Sequence, residues 1–156
     1  MSALPIRPDS AFDAEQMTYY LSAAKFPLRL ACNGSNGFPL VASHWFELRG
    51  GSLFLAIHES SKVAALLQKN PRCGFEIAAD SIPYRGVRGQ GTATLTRGGA
   101  TEQLESLIAR YLGHAESTLA QWLLSRAAAE FVVRIDPVWL TGWDFSKRMA
   151  AAQYVL

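Results

Sequence analysis

The stretch from Tyr84 to Thr96, YRGVRGQGTATLT, restricts the fold more than any other part of the chain. Val87, Ala93 and Leu95 fall on one face together with Gly89 and Gly91, and Arg88, Gln90, Thr92 and Thr94 fall on the other. A period of two is that of a strand with one buried and one wetter face. Gly86, Gly89 and Gly91 interrupt the run where a strand would bulge or bend to close a barrel. A strand this long leaves a row of unpaired amides and carbonyls unless its sheet closes on itself.

Other runs share the period. Leu28, Leu30 and Cys32 alternate with Arg29, Ala31 and Asn33, and Gly34-Ser35-Asn36-Gly37 supplies a hairpin turn. The next strand, Phe38 to Leu48, puts Leu40, Ala42, His44, Phe46 and Leu48 on one face. Arg49-Gly50-Gly51-Ser52 turns into Leu53–His58, which reads as buried on both sides. Arg72 to Ala79 follows, and the strands Phe131–Ile135 and Trp139–Phe145 come last.

Helical periods mark Asp13–Ala24, Lys62–Lys69, Thr101–Leu112 and Ser117–Ala128. Asp13 and Gln16 form a capping-box pair. The expected fold is a single mainly β, α+β domain: a six-stranded antiparallel split barrel with helices outside. Residues 1–25 would carry the first helix, 26–97 and 130–146 the barrel, and 99–128 a helical pair. The Ala-rich tail after Lys147 receives no element.

Composition narrows the function classes. Hydrophobic content of 49% against 18% charged residues is that of a folded chain. The net charge is +2 and the longest basic cluster is Lys147-Arg148, so no nucleic-acid partner is expected. The opening MSALPIRPDSAFD lacks an apolar core for a signal peptide, and no apolar run approaches the roughly 20 residues of a membrane helix. Cys32 and Cys73 then read as buried thiols of a cytoplasmic protein, with no membrane partner. His44, His58 and His114 are too dispersed for a metal site, and no nucleophile elbow or Walker loop appears. Gly86-x-x-Gly89-x-Gly91 has a dinucleotide fingerprint in reversed order with no helix after it.

The chemistry concentrates where Leu53–His58 delivers Ser60, Ser61 and Lys62 to the first turn of a helix that Asn70-Pro71 ends. Free amides and the positive helix end make such a turn an anion site. The alternative is an ordinary serine cap beside a solvated lysine. Arg88 and Gln90 offer polar reach from another strand, and Trp45, Trp139 and Trp143 offer stacking surface.

Four segments carry a family resemblance: GFPLVASHWF (Gly37–Phe46), LFLAIHESSKVAALLQKNPR (Leu53–Arg72), VRGQGTATL (Val87–Leu95) and DPVWLTGWDFSK (Asp136–Lys147). In their order and spacing, Phe26 to about Lys147 resembles the pyridoxamine 5′-phosphate oxidase-related group of FMN-binding split-barrel proteins. The resemblance implies a homodimer with FMN in clefts at the dimer interface. The family's Glu-Ser-Arg-Lys phosphate motif is matched by Glu59, Ser60 and Lys62, while Ser61 stands in place of the Arg. The loss of one charge-assisted bond is worth ~1.5–3 kcal/mol. The family's late Trp falls on Trp143. The true oxidase's Arg-x-His-x-Arg is missing at Asp144–Arg148, which argues against pyridoxamine 5′-phosphate as substrate.

The resemblance thus implies an FMN-dependent oxidoreductase acting on a small molecule. The phosphate would sit at Ser60, Ser61 and Lys62, and the ring near Ser43, His44, Trp45, Ala56, Ile57 and His58, with Arg88, Gln90 and Trp143 adding contacts. No residue stands out as acid or base, and His44 and His58 are the available groups. Two alternatives stay open: the same fold using the deazaflavin F420, and a non-catalytic dimer that holds flavin, haem or another ligand.

Overall fold

The computed structural model of the chain describes residues 3–152. Helix α1, Ala14–Ala23, starts as its sequence demands. Asp13 Oδ1 accepts from the Gln16 amide at 2.8 Å, and Gln16 Oε1 accepts from the Asp13 amide at 3.0 Å. This reciprocal cap satisfies two amides that the helix cannot bond internally. Met17 and Leu21 go into the core.

Seven strands follow: β1 Leu28–Asn33, β2 Pro39–His44, β3 Glu47–Arg49, β4 Ser52–His58, β5 Arg72–Ala78, β6 Arg85–Thr96 and β7 Glu130–Asp144. They form one antiparallel sheet in the order β2-β1-β5-β6-β7-β4-β3. The sheet has seven strands where six were expected, and two of the expected runs are divided differently. The run Phe38–Leu48 is two strands, because the chain leaves β1 at His44 and joins β4 at Glu47. The corner is Trp45-Phe46, and the sheet's two ends meet there. Phe46 is fully buried, so its backbone cannot turn to water. Its amide donates to the Tyr111 hydroxyl at 3.2 Å, which makes good the lost ladder bond.

The last two expected strands are one, β7, running through Pro137. Pro137 pairs opposite Gly91, at the register shift between Gln90 and Gly91. A proline lacks the amide that a regular ladder needs, and a bulge is where that lack is tolerated. Beyond the stretch paired with β4, the second edge of β7 is covered by the N-terminal segment. Arg7 donates to the Leu140 carbonyl at 2.8 Å and Ala11 to that of Gly142 at 2.9 Å.

The β3–β4 turn has Gly50 and Gly51 at φ 59° and 86°, the left-handed pair a two-residue hairpin needs. Inside the barrel, a Cβ on Gly89 would stand 2.5 Å from the Trp139 carbonyl oxygen and 2.7 Å from the Phe75 ring. Only glycine admits that ring to the core. Leu28, Leu30, Leu53, Leu55, Ile77, Val87, Val133 and Ile135 line the interior. Each such side chain contributes about 1.5–3 kcal/mol on burial.

Helix α2, Lys62–Lys69, turns Val63, Ala64, Leu66 and Leu67 inward and packs against β1, β4 and β6. Helix α3, Ala100–Leu112, lies over β4 and β7. Helix α4, Thr118–Ser125, begins close to the expected Ser117, which caps it, but it ends early in a 3₁₀ turn, Ala127–Ala129. The tail becomes helix α5, Ser146–Ala152, and residues 153–156 lie outside the described residues. No described helix is long and apolar enough to cross a membrane.

Candidate functional site

The alternation of β4 sends Leu53, Leu55 and Ile57 into the core, with Phe54, Ala56 and His58 on the opposite face. The strand then stops abruptly. The Ser61 amide donates to the His58 carbonyl at 3.0 Å, and Ser61 Oγ accepts from the Ala64 amide at 3.1 Å. Ser61 is therefore the cap of α2, and Ser60 is not. The Ser60 hydroxyl lies 2.7 Å from His58 Nδ1, to which the Ser60 amide also donates at 3.2 Å. An amide pointing at Nδ1 makes that nitrogen an acceptor, so the hydroxyl donates as well and the ring proton sits on Nε2.

What remains open at this turn is positive. The amides of Lys62 and Val63 have no acceptor among the described residues. Lys62 is exposed and makes no ion pair among them. The nearby Glu59 carboxylate is held by Arg97, which also stacks on Phe131 at 4.6 Å. Two free amides, an ammonium and a neutralised carboxylate fit an anionic group such as a phosphate. The Ser61 hydroxyl can donate to it while still serving as cap, whereas the Ser60 hydroxyl is committed to His58.

Ser43, His44 and Trp45 end β2 at the split, where β2 and β4 touch. His44 pairs with Leu28 on the core side. Its Nε2 is buried with no hydrogen-bond partner among the described residues, and burial lowers its pKa, which keeps the ring neutral. The Trp45 ring stacks on Tyr111 at 4.9 Å and 4°. One of its faces is thus already occupied.

Arg88, Gln90 and Trp143 lie elsewhere. Register places Ser43, Arg29, Glu76, Arg88 and Thr141 in one row across five strands, on the face turned from the core. The next row is Val41, Ala31, Gly74, Gln90 and Trp139. Small residues in mid-row leave a trough, with a cavity of about 480 Å³ between Val41 and Trp139. Gln90 Oε1 accepts from Trp139 Nε1 at 3.0 Å. Trp143 pairs with Gly86, and its Nε1 is buried without a hydrogen-bond partner among the described residues. His58 pairs with Glu130 at the start of β7, so roughly 40 Å of strand separates it from Trp143. Within one chain, Ser43–Trp45 lie at the end of β2, which touches β4, and Ala56–His58 lead directly into Ser60–Lys62; Arg88 shares a row with Ser43, and Gln90 and Trp143 lie in neither group.

Three residues that pattern alone did not single out complete the surroundings. Tyr111 anchors the corner. Glu130 is buried directly opposite His58. Arg126 stacks on Trp122 at 4.3 Å. A period-two reading puts Glu130 on the face of Val132 and Arg134, but pairing with His58 depends on strand order, which no local pattern carries.

No family model matches the sequence, and no curated protein does. Solved structures do. The conserved hypothetical protein Rv2991 of Mycobacterium tuberculosis matches with a TM-score of 0.75 at 22% identity, over 92% of this chain and 91% of that one. An F420 reductase matches with a TM-score of 0.67 at 18% identity, over 78% and 93%. A FAD-binding protein of Mesorhizobium loti matches with a TM-score of 0.63 at 18% identity, over 84% and 92%. At these identities the likeness is one of architecture: the chain has the α+β, split-barrel-like fold of these proteins, built here on seven antiparallel strands.

Proposed function

We propose that this protein binds a flavin, FMN in the first instance, in clefts between two copies of the chain and serves as an oxidoreductase on a small molecule. The observation that carries this reading is the start of α2, where, among the described residues, two amides have no acceptor and the Lys62 ammonium has no ion-pair partner, next to β4, which β2 touches. A terminal phosphate seated there points its bearer along Ala56–His58 and Ser43–Trp45. Structural neighbours that include an F420 reductase and a FAD-binding protein support a flavin-type ligand in this architecture. Bound flavin would supply the hydride and electron chemistry. The chain's part is to neutralise the phosphate with Lys62, to orient the ring along the split, and to keep His44 neutral beside it.

The distribution of residues supports a second copy. Arg88, Gln90 and Trp143 occupy a face that also exposes Val41 and Val138, at 60% and 64%. Packed against another chain, that face would bury its apolar groups and bring its polar ones to the partner's split. Lys62→Ala is expected to weaken FMN retention about tenfold to a hundredfold, the value of one charge-assisted bond. Lys69→Ala, at the other end of the same helix, should change little. Equal effects would refute the phosphate seat, and a monomer by sedimentation would refute the interface cleft. Retention of F420 in place of FMN would move the reading to a deazaflavin enzyme of the same fold.

A further inference from the structure

Helix α3 covers the outer face of β4 and β7 incompletely. A cavity of about 400 Å³ remains between the sheet and the start of that helix, with Phe54 and Val132 as its floor. Two arginines line it, and register explains why they meet there. Phe54 pairs with Arg134 on one side and with Glu47 on the other, and Arg49 stands two residues beyond Glu47 on the same face of β3. The Arg49 guanidinium stacks on the Phe54 ring at 3.9 Å. Its Nη1 lies 3.1 Å from Glu47 Oε1, and its Nη2 donates to Gln103 Oε1 at 3.0 Å. Gln103 is only 2% exposed and donates in turn to Glu47, which also accepts from Ser106. Arg49 is thus oriented from three sides, with its Nε–H unspent. Arg134 is held through Nε, which donates to Asp136 Oδ1 at 2.8 Å and to Ser52 Oγ at 3.3 Å. Neither of its Nη groups has an acceptor among the described residues.

A guanidinium presents its donors as a rigid fork, and one fork satisfies the two oxygens of a carboxylate. Two forks on either side of one ring suit an oxyanion with three free oxygens. The acids nearby are accounted for. Glu47 and Asp136 are spent on the two arginines, and Glu102, in the first turn of α3, is the carboxylate of the lining. Glu102 and the exposed hydroxyls of Thr94 and Thr96 accept hydrogen bonds from hydroxyl groups. We propose that this cavity is a second ligand site, for the phosphate monoester of a small polyol. Arg49 and Arg134 take the phosphate oxygens from either side, and Glu102, Thr94 and Thr96 take the polyol hydroxyls. The site shares no residue with the Lys62 turn, and it stands whether or not the chain binds a flavin.

The test is a titration of the full chain with glycerol 1-phosphate, followed by amide proton–nitrogen correlation spectra. Saturable shifts are expected at Thr94 and Thr96 and at Gly98 and Gly99, which close the cavity with bare backbone, beyond any that sodium chloride gives at equal ionic strength. Arg134→Gln should weaken this binding about tenfold, the low end for a charge-assisted bond because the side chain is half exposed. Arg134→Lys keeps the charge without the fork and should recover only part of the loss. Arg49→Gln leaves Glu47 without its counter-charge, so its unfolding is measured beside its affinity and Arg134 carries the decision. Lys62→Ala should leave the cavity's response unchanged, and Arg134→Gln should leave FMN retention unchanged. Shifts confined to the Lys62 turn, or cavity shifts that are equal in the unaltered chain and Arg134→Gln, would overturn the second site and leave the first intact. An equal response to acetate would overturn the assignment to a phosphate. Cavity shifts in a protein that retains no FMN would support this site and refute the flavin reading alone.

Discussion

Replacing Tyr111 by Phe tests the corner on which closure of the barrel and placement of Ser43–Trp45 both depend. The substitution removes one oxygen and leaves the ring stacked on Trp45. That oxygen accepts from the Phe46 amide at 3.2 Å, and it stands 3.3 Å from the carbonyls of both Phe26 and Phe46, with one proton to donate. Phe46 is fully buried, so its amide finds no water when the hydroxyl is gone. An unsatisfied buried donor costs about 1–3 kcal/mol, and the carbonyl that loses its proton adds to the upper end. For a chain of this size, each kcal/mol lowers Tm by about 2–4 °C. The expected fall is therefore about 2–12 °C, with an unchanged dependence on denaturant activity if the native state keeps its shape. Urea unfolding followed by tryptophan fluorescence measures it. Tyr19→Phe is the matched control, because Tyr19 is 75% exposed and should move nothing beyond about 0.5 kcal/mol. If the two variants unfold at the same urea concentration, the hydroxyl does not hold the corner and the account of why β2 and β3 separate is wrong.

Gly89→Ala should destabilise by about 1–3 kcal/mol in the same assay, since its Cβ would meet a backbone oxygen at 2.5 Å and the Phe75 ring at 2.7 Å; a neutral result would mean that β5 and β6 yield there freely. Glu130→Gln should raise Tm at pH 8. A carboxyl whose folded pKa lies above its unfolded value loses stability as pH rises from the unfolded range, about 4.3, through the folded value. The gain should vanish at pH 4, and a pH-independent gain would point to packing instead. Cys32 and Cys73 face each other across β1 and β5, both buried, and burial, with the Cys32 charge adding to it, pushes the Cys73 thiol up to about 12. Both should resist a thiol reagent at pH 8 in the native protein and react at once in denaturant, and rapid native labelling would contradict their burial.

The parts of this molecule that could be read from sequence are those set by neighbours along the chain. The Asp13–Gln16 cap, the bounds of α2, the left-handed Gly50-Gly51 turn and the alternation of β6 each depend on a few adjacent residues, and each stands where local pattern put it. The parts that could not be read depend on partners far away in sequence. Nothing in Trp45-Phe46 marks a corner, because what permits it is a hydroxyl 65 residues away on α3. Nothing in Asp136-Pro137 marks a continuous strand, because what permits it is the register shift against β6, where β7 carries Val138 as one extra residue. The candidate site divides along the same line. Ser60, Ser61 and Lys62 were legible because a strand feeding a helix start is a local event. That Ser60 spends its hydroxyl on His58 is a contact two residues apart that the motif itself does not announce, whereas that His58 stands opposite Glu130 follows only from the pairing of β4 with β7. That long-range pairing, and not the serine–lysine motif itself, sets a carboxyl-bearing residue opposite the strand end that leads into this turn.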